Sequence, residues 1–150
     1  PKGYTEKLKE KGISLHEAVT IASMIEAESF LKEEKSKISE VIWNRLKADM
    51  TLGIDATLIY GIKDYKGDIK KIHLTDKKNL YNTRIHKGLP PGPICSPTTS
   101  SLEAVLNPTS YGYYYYVLQP GENKQHYFSR TLEDHAKHVK LLLNSNEKKD

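Results

Sequence analysis

Apolar residues recur at helical spacing from Leu15 to about Leu31, with Ala18, Ile21, Ala22 and Ile25 on one face. A period of that kind sets the stripe against a core. The segment opens on Ser14-Leu15-His16-Glu17, where the serine hydroxyl and the glutamate carboxylate suit the reciprocal pairing of a capping box. Ser36 to Leu46 predicts a second amphipathic helix through Ile38, Val41, Ile42 and Leu46, and Pro97 to Leu106 a third that Pro108 stops. Tyr113 to Leu118 and Gln125 to Ser129 are aromatic and β-branched around Pro120-Gly121-Glu122-Asn123, the pattern of a β-hairpin. Thr131, with Asp134 three residues on, starts a last helix whose Leu132, Ala136, Val139, Leu142 and Leu143 are expected to face inward.

Between these elements the pattern weakens. Asp55 to Lys87 reads mainly as loop with a short helix over Ala56 to Tyr60, too long a stretch for an idle connection. Gly88-Leu89-Pro90-Pro91-Gly92-Pro93-Ile94 is a rigid loop, because its prolines fix φ and remove donors. The expected organisation is a peripheral N-terminal segment (1–14), one α+β domain (15–143) of helices with a small antiparallel β-hairpin, and a polar tail (144–150). A length of 150 residues, 37% hydrophobic, suits one core. The start at Pro1 rather than Met suggests a piece of a longer protein.

Charge narrows the partners. The net charge of +4 comes from twenty Lys and only Arg45, Arg84 and Arg130, a balance that reads as a solvated surface, disfavours a nucleic-acid reader and suits equally a polyanionic partner such as a cell-wall polymer. The single Cys95 excludes an internal disulfide framework and has no thiol-protease signature around it, so it reads as a small buried thiol. His135 and His138 stand at i,i+3 without an evident third ligand, and neither metal nor cofactor is expected.

Two carboxylates on the otherwise apolar first helix are the strongest chemical candidates. Glu26 and Glu28 fall on opposite flanks of its buried face. Glu28 has Lys32 at i+4, which suits an ionised surface pair. Glu26 has no cation at its helical neighbour positions and lies one turn from Phe30, an environment that would raise its pKa and fit it to give a proton. On that reasoning Glu26 is the general acid. Asp55, Tyr81-Asn82-Thr83, the Leu89 to Ile94 loop and His126 are further polar or rigid positions of the kind that functional sites use.

The order of segments carries a resemblance. Ile21-Ala22-Ser23-Met24-Ile25-Glu26-Ala27-Glu28, Val41-Ile42-Trp43-Asn44-Arg45-Leu46, Ile54-Asp55-Ala56-Thr57-Leu58-Ile59-Tyr60-Gly61, Tyr81-Asn82-Thr83, Gly88 to Ile94 and His126-Tyr127-Phe128-Ser129 resemble the YceG-like (MltG) endolytic murein transglycosylases. The family commonly has Glu-Lys-Glu where this chain has Glu26-Ala27-Glu28, and a tyrosine where it has Arg84.

The resemblance implies a lysozyme-like catalytic domain that cuts peptidoglycan internally, between N-acetylmuramic acid and N-acetylglucosamine, leaving 1,6-anhydro ends. It maps the catalytic glutamate to Glu26, acid and then base. The expected supporting or substrate-binding residues are Glu28, Asn44, Asp55, Tyr60, Tyr81, Asn82, Thr83, Leu89, Pro90, Pro91, Gly92, His126 and Phe128. It also implies no cofactor, and action on the outer face of the cytoplasmic membrane through an N-terminal tether outside this chain. The cell-wall elongation machinery is a candidate partner. A lysozyme-type hydrolase using Glu26 and Asp55, and a non-catalytic glycan-binding module, are the alternatives. The assignment predicts that Glu26→Gln abolishes cleavage while Glu28→Gln leaves much more activity.

Overall fold

A computed structural model describes residues 3–147. Seven helices and one hairpin follow in chain order: α1 (Tyr4–Lys11), α2 (Leu15–Glu28), a 3-10 turn (Lys32–Glu34), α3 (Lys35–Lys47), α4 (Asp55–Tyr60), α5 (Lys71–Leu74), α6 (Thr99–Leu106), β1 (Tyr115–Leu118), β2 (His126–Ser129) and α7 (Leu132–Glu147). The architecture is α+β, as the sequence pattern predicts.

α2 is the axis of the core. Ala18, Ile21, Ala22, Met24 and Ile25 are buried against Ile38 and Ile42 of α3, Ala104 and Val105 of α6, and Leu52 and Ile54. The predicted capping box is present: Ser14 Oγ accepts from Glu17 N–H, and Glu17 Oε1 accepts from Ser14 N–H, each at 3.1 Å. The far end departs from expectation. α2 stops at Glu28, because Ser29 is extended (φ −99°, ψ 131°) and its hydroxyl donates to the Ile25 carbonyl at 2.7 Å. Lys32 therefore lies on a separate turn rather than one helical turn above Glu28.

The long irregular stretch is held by side chains in place of regular structure. Asn82 Nδ2 donates to the carbonyls of His73, Leu74 and Asp76 at 3.2–3.3 Å. Thr83 Oγ1 accepts from Ile54 N–H (2.9 Å) and shares a hydrogen bond with Thr57 Oγ1 (2.9 Å). Asn79 Nδ2 donates to Leu58 O, and its carboxamide fills the space beside Gly61, where a Cβ would lie only 1.8 Å from Asn79 Oδ1. The proline-rich loop runs back along α2: His16 Nε2 meets Pro91 O at 2.8 Å, and Ile94 N–H donates to Ser23 Oγ at 3.0 Å.

β1 and β2 pair antiparallel with Tyr115 opposite Ser129 and Leu118 opposite His126. α7 packs on this hairpin through half-buried residues at i, i+3, i+4 and i+7: His135 stacks on Tyr115, His138 on Tyr127, with Val139 and Leu142 beside them. The contact face is thus centred on histidines. Leu132, Ala136 and Leu143, expected inside, are exposed. Of the N-terminal segment, Tyr4 and Leu8 are buried core residues rather than peripheral ones, and Pro1 and Lys2 lie outside the described residues. The expected polar tail continues α7 to Glu147, its last three positions likewise lying outside them. No helix among the described residues is long and apolar enough to cross a membrane.

Candidate active site

The environments expected for the two glutamates are exchanged. Glu26 faces α6 and the start of α3, where Lys35 Nζ donates to Glu26 Oε2 at 2.8 Å and Thr98 Oγ1 donates at 3.0 Å. Ser101 Oγ donates to the same oxygen. Burial works against the charged form of Glu26, but the hydrogen bonds from Lys35, Ser101 and Thr98, with the lysine charge, outweigh it and lower its pKa to about 2. The missing cation of the sequence argument is Lys35, nine positions away and brought in by the turn between α2 and α3. Hydrogen bonds of this kind favour the ionised carboxylate.

Glu28 ends α2 on the opposite flank and lines a cleft of about 390 Å³ with Phe30, Arg45, Asp55, Tyr116, His126 and His135 among its walls. Burial and then the charge of Asp55 push its pKa up to about 7, against the opposing effect of the nearby Tyr116 hydroxyl and Ala56 N–H. No cation pairs with Glu28 among the described residues. Near neutral pH this carboxyl exchanges a proton readily, the condition for general acid–base work.

Around it, the hairpin and the turn after α2 are clamped together. His126 Nδ1 lies 3.0 Å from Glu34 Oε1, and His126 N–H donates to Glu34 Oε2 at 2.9 Å, both side chains being buried. Phe30 stacks on His126 (6.2 Å, 10°) and Tyr116 meets it edge-on (5.4 Å, 90°). His126 thus stands in the cleft wall and supports Tyr116 and Glu28, not Glu26. Asp55 lines the Glu28 cleft and is paired with Arg84, the residue that replaces the family's tyrosine, through contacts of 2.9 Å and 3.0 Å.

Other expected site residues lie elsewhere. Asn82 is wholly buried and spends its carboxamide on backbone. Thr83 is likewise buried and engaged with Ile54 and Thr57. Asn44 donates to Tyr113 O at 2.8 Å and borders a separate hollow beside Glu40, whose carboxylate gathers the Tyr111, Gly112 and Tyr113 N–H groups. Leu89, Pro90, Pro91 and Gly92 strap α2 near His16 and do not border the Glu28 cleft. Tyr60 and Tyr81 pack on one another at 4.8 Å, outside its walls. Phe128 lies behind Tyr116 with Lys37 Nζ over its ring at 5.6 Å. Sequence reasoning missed Tyr116, Arg45 and His135 as cleft residues, and Lys35 and Ser101 as partners of Glu26. The one sequence signal for Tyr116 was the aromatic run of β1, which does not say which ring faces the cleft.

Comparison with known proteins follows this geometry. A model of the YceG-like family matches residues 2–141. The chain is 34% identical over 146 residues to an endolytic murein transglycosylase of Bacillus subtilis (strain 168), covering 97% of this chain and 40% of that protein. It is 31% identical to an endolytic murein transglycosylase of Streptococcus pneumoniae (strain D39), covering 95% of this chain and 26% of that one. The crystal structure of a yceG-like protein from Listeria monocytogenes superposes with a TM-score of 0.82 at 36% identity, over 89% of this chain and 43% of its own. The chain therefore spans well under half the length of these relatives, and across nearly all of its own length it belongs to the YceG-like family.

Proposed function

We propose that this chain is the catalytic domain of a lytic murein transglycosylase in which Glu28 acts as general acid and then as general base. The observation that carries the reading is the state of Glu28: a carboxyl in a cleft, unpaired with any cation among the described residues, with its pKa pushed up to about 7. The names of the relatives at 31–34% identity supply the substrate class, the glycan strands of peptidoglycan.

In this reading neutral Glu28 protonates the oxygen of the bond between N-acetylmuramic acid and N-acetylglucosamine as positive charge develops at C1 of the muramic residue. The C1–O bond breaks and the leaving sugar departs as an alcohol. The Glu28 carboxylate, stabilised by the Tyr116 hydroxyl and the Ala56 N–H, then takes the proton of the C6 hydroxyl, whose oxygen closes on C1. The product is a 1,6-anhydro end, no water is consumed, and Glu28 is again protonated.

Asp55 motivates a second reading, because a lysozyme-type hydrolase needs another carboxylate beside the acid. Its pairing with Arg84 argues against a role in activating water. Mass spectrometry of uncross-linked glycan strands decides: internal fragments with 1,6-anhydro ends support the transglycosylase, fragments one water heavier the hydrolase. Strands left intact by the folded protein would refute both and favour a binding module. Placement on the outer face of the cytoplasmic membrane, and work beside the elongation machinery, belong to the same proposal and follow from where such strands are made.

A further inference from the structure

The cleft contains a second polar corner that acid–base cleavage at Glu28 leaves unused. Arg45 of α3 is anchored by donating from Nε to Tyr114 O at 2.7 Å and from Nη1 to Thr51 O and Leu52 O at 3.2 and 3.1 Å. Its guanidinium lies over the Tyr115 ring at 5.0 Å. Among the described residues Nη2 has no hydrogen-bond acceptor and no carboxylate pairs with the charge, yet Arg45 borders the cleft.

His135, in the first turn of α7, borders the same cleft and stacks on the same Tyr115 ring at 5.1 Å. Its Nδ1 is buried and has no partner among the described residues. Burial, and then the charges of Arg45 and His138, lower its pKa, so the ring is neutral at pH 7. A neutral imidazole can hold its proton on either nitrogen. Nδ1 is the buried nitrogen without a partner, so an N–H there would be left unsatisfied, and on this ground we assign the proton to Nε2. The corner therefore offers two donors, Arg45 Nη2 and His135 Nε2, with no acceptor among the described residues.

Both sugars of murein, like those of chitin, carry N-acetyl groups. The muramic residue alone adds a lactyl arm ending in a carboxyl oxygen, charged in peptide-free strands and an amide carbonyl in peptide-bearing ones. An unpaired guanidinium beside a neutral donor suits that oxygen, and the charged form above all. Taking the glycan-cleaving reading as given, we propose that Arg45 and His135 form a subsite that receives the lactyl carboxyl oxygen of the muramic residue.

The test uses the Glu28→Gln protein, which keeps substrate intact, and calorimetric titration with a peptide-free murein tetrasaccharide and with chitotetraose. Adding His135→Ala is expected to weaken murein binding about tenfold, the scale of one hydrogen bond to a charged group, and chitotetraose binding less than twofold. His135→Gln, which keeps an N–H donor, recovers part of the loss. A peptide-bearing tetrasaccharide is expected to lose less than the free acid when His135 is removed. Equal losses for murein and chitin, or none for either, would overturn the subsite. Substitutions of Arg45 are unsuitable because they would also free three backbone carbonyls. Failure of the cleavage reading looks different: wild-type protein would leave strands uncut while the His135-dependent preference for murein persisted.

Discussion

Glu28→Gln separates what the acid does for the reaction from what it costs the fold. The Glu28 pKa rises from 4.5 to about 7, and at about 1.36 kcal/mol per unit this makes the ionised carboxylate worth roughly 3 kcal/mol less in the folded than in the unfolded chain. The sign follows from a raised folded pKa: stability is full below pH 4.5, falls as the unfolded chain ionises, and the loss is complete once pH passes about 7. Glutamine keeps the shape and never ionises. Glu28→Gln should match wild type near pH 4 and exceed it at pH 8.5 by about 2–3 kcal/mol, which raises the melting temperature by roughly 5–10 °C. The same substitution removes the proton donor and should lower kcat by about 10²–10⁴. Urea denaturation across pH 4–8.5 measures the first effect, and glycan-strand fragments measured by mass spectrometry the second. A variant that cleaves like wild type, or one less stable than wild type at pH 8.5, would refute the reasoning.

Other substitutions test the remaining assignments. Glu26→Gln should cost about 1–3 kcal/mol at pH 7 by leaving the partly buried Lys35 without its anion, and the contribution it removes is present above pH 4.5 and lost as pH falls through about 2. The folded variant should keep most of its cleavage, and an inactive but fully folded protein would return the acid role to Glu26. Tyr116→Phe removes a hydroxyl whose proximity favours the Glu28 anion, so the alkaline limb of the activity profile should move to higher pH; a move to lower pH would contradict that influence. Asn82→Ala frees three carbonyls and should cost about 2–4 kcal/mol in denaturation with KM unchanged, whereas a raised KM at unchanged stability would make Asn82 a glycan contact after all.

The elements with strong local signals were legible. Ser14 and Glu17 announced the start of α2, the apolar period of Ile38 to Leu46 gave α3, and the turn at Pro120 to Asn123 gave the hairpin. The stretch from Asp55 to Lys87 was illegible in detail because its order comes from side chains bonding to backbone many residues away. Asn82 holding Asp76 and Thr83 holding Ile54 have no period to read. Such polar residues in an irregular loop look the same in sequence whether they bind a ligand or satisfy buried carbonyls. Burial alone separates the two, and it is a tertiary property. Polar side chains fixed in this way also explain why the tyrosine-asparagine-threonine segment sits outside the cleft.

The exchange of environments between Glu26 and Glu28 has one local origin, the end of α2. Had the helix continued to Leu31, Lys32 would stand one turn above Glu28 and hold it ionised, as the i+4 spacing suggests. Ser29 instead turns the chain outward and caps Ile25 O, which removes Lys32 from that face. The following turn then delivers Lys35 to Glu26 and places Phe30 and Glu34 against His126. One extended residue therefore gives Glu26 its cation, withholds one from Glu28 and builds a wall of the Glu28 cleft. Local propensity barely marks such a boundary, since serine is tolerated both inside a helix and at its end. The proton donor we propose, Glu28, is set apart from Glu26 by a helix terminus that falls three residues before the apolar pattern runs out.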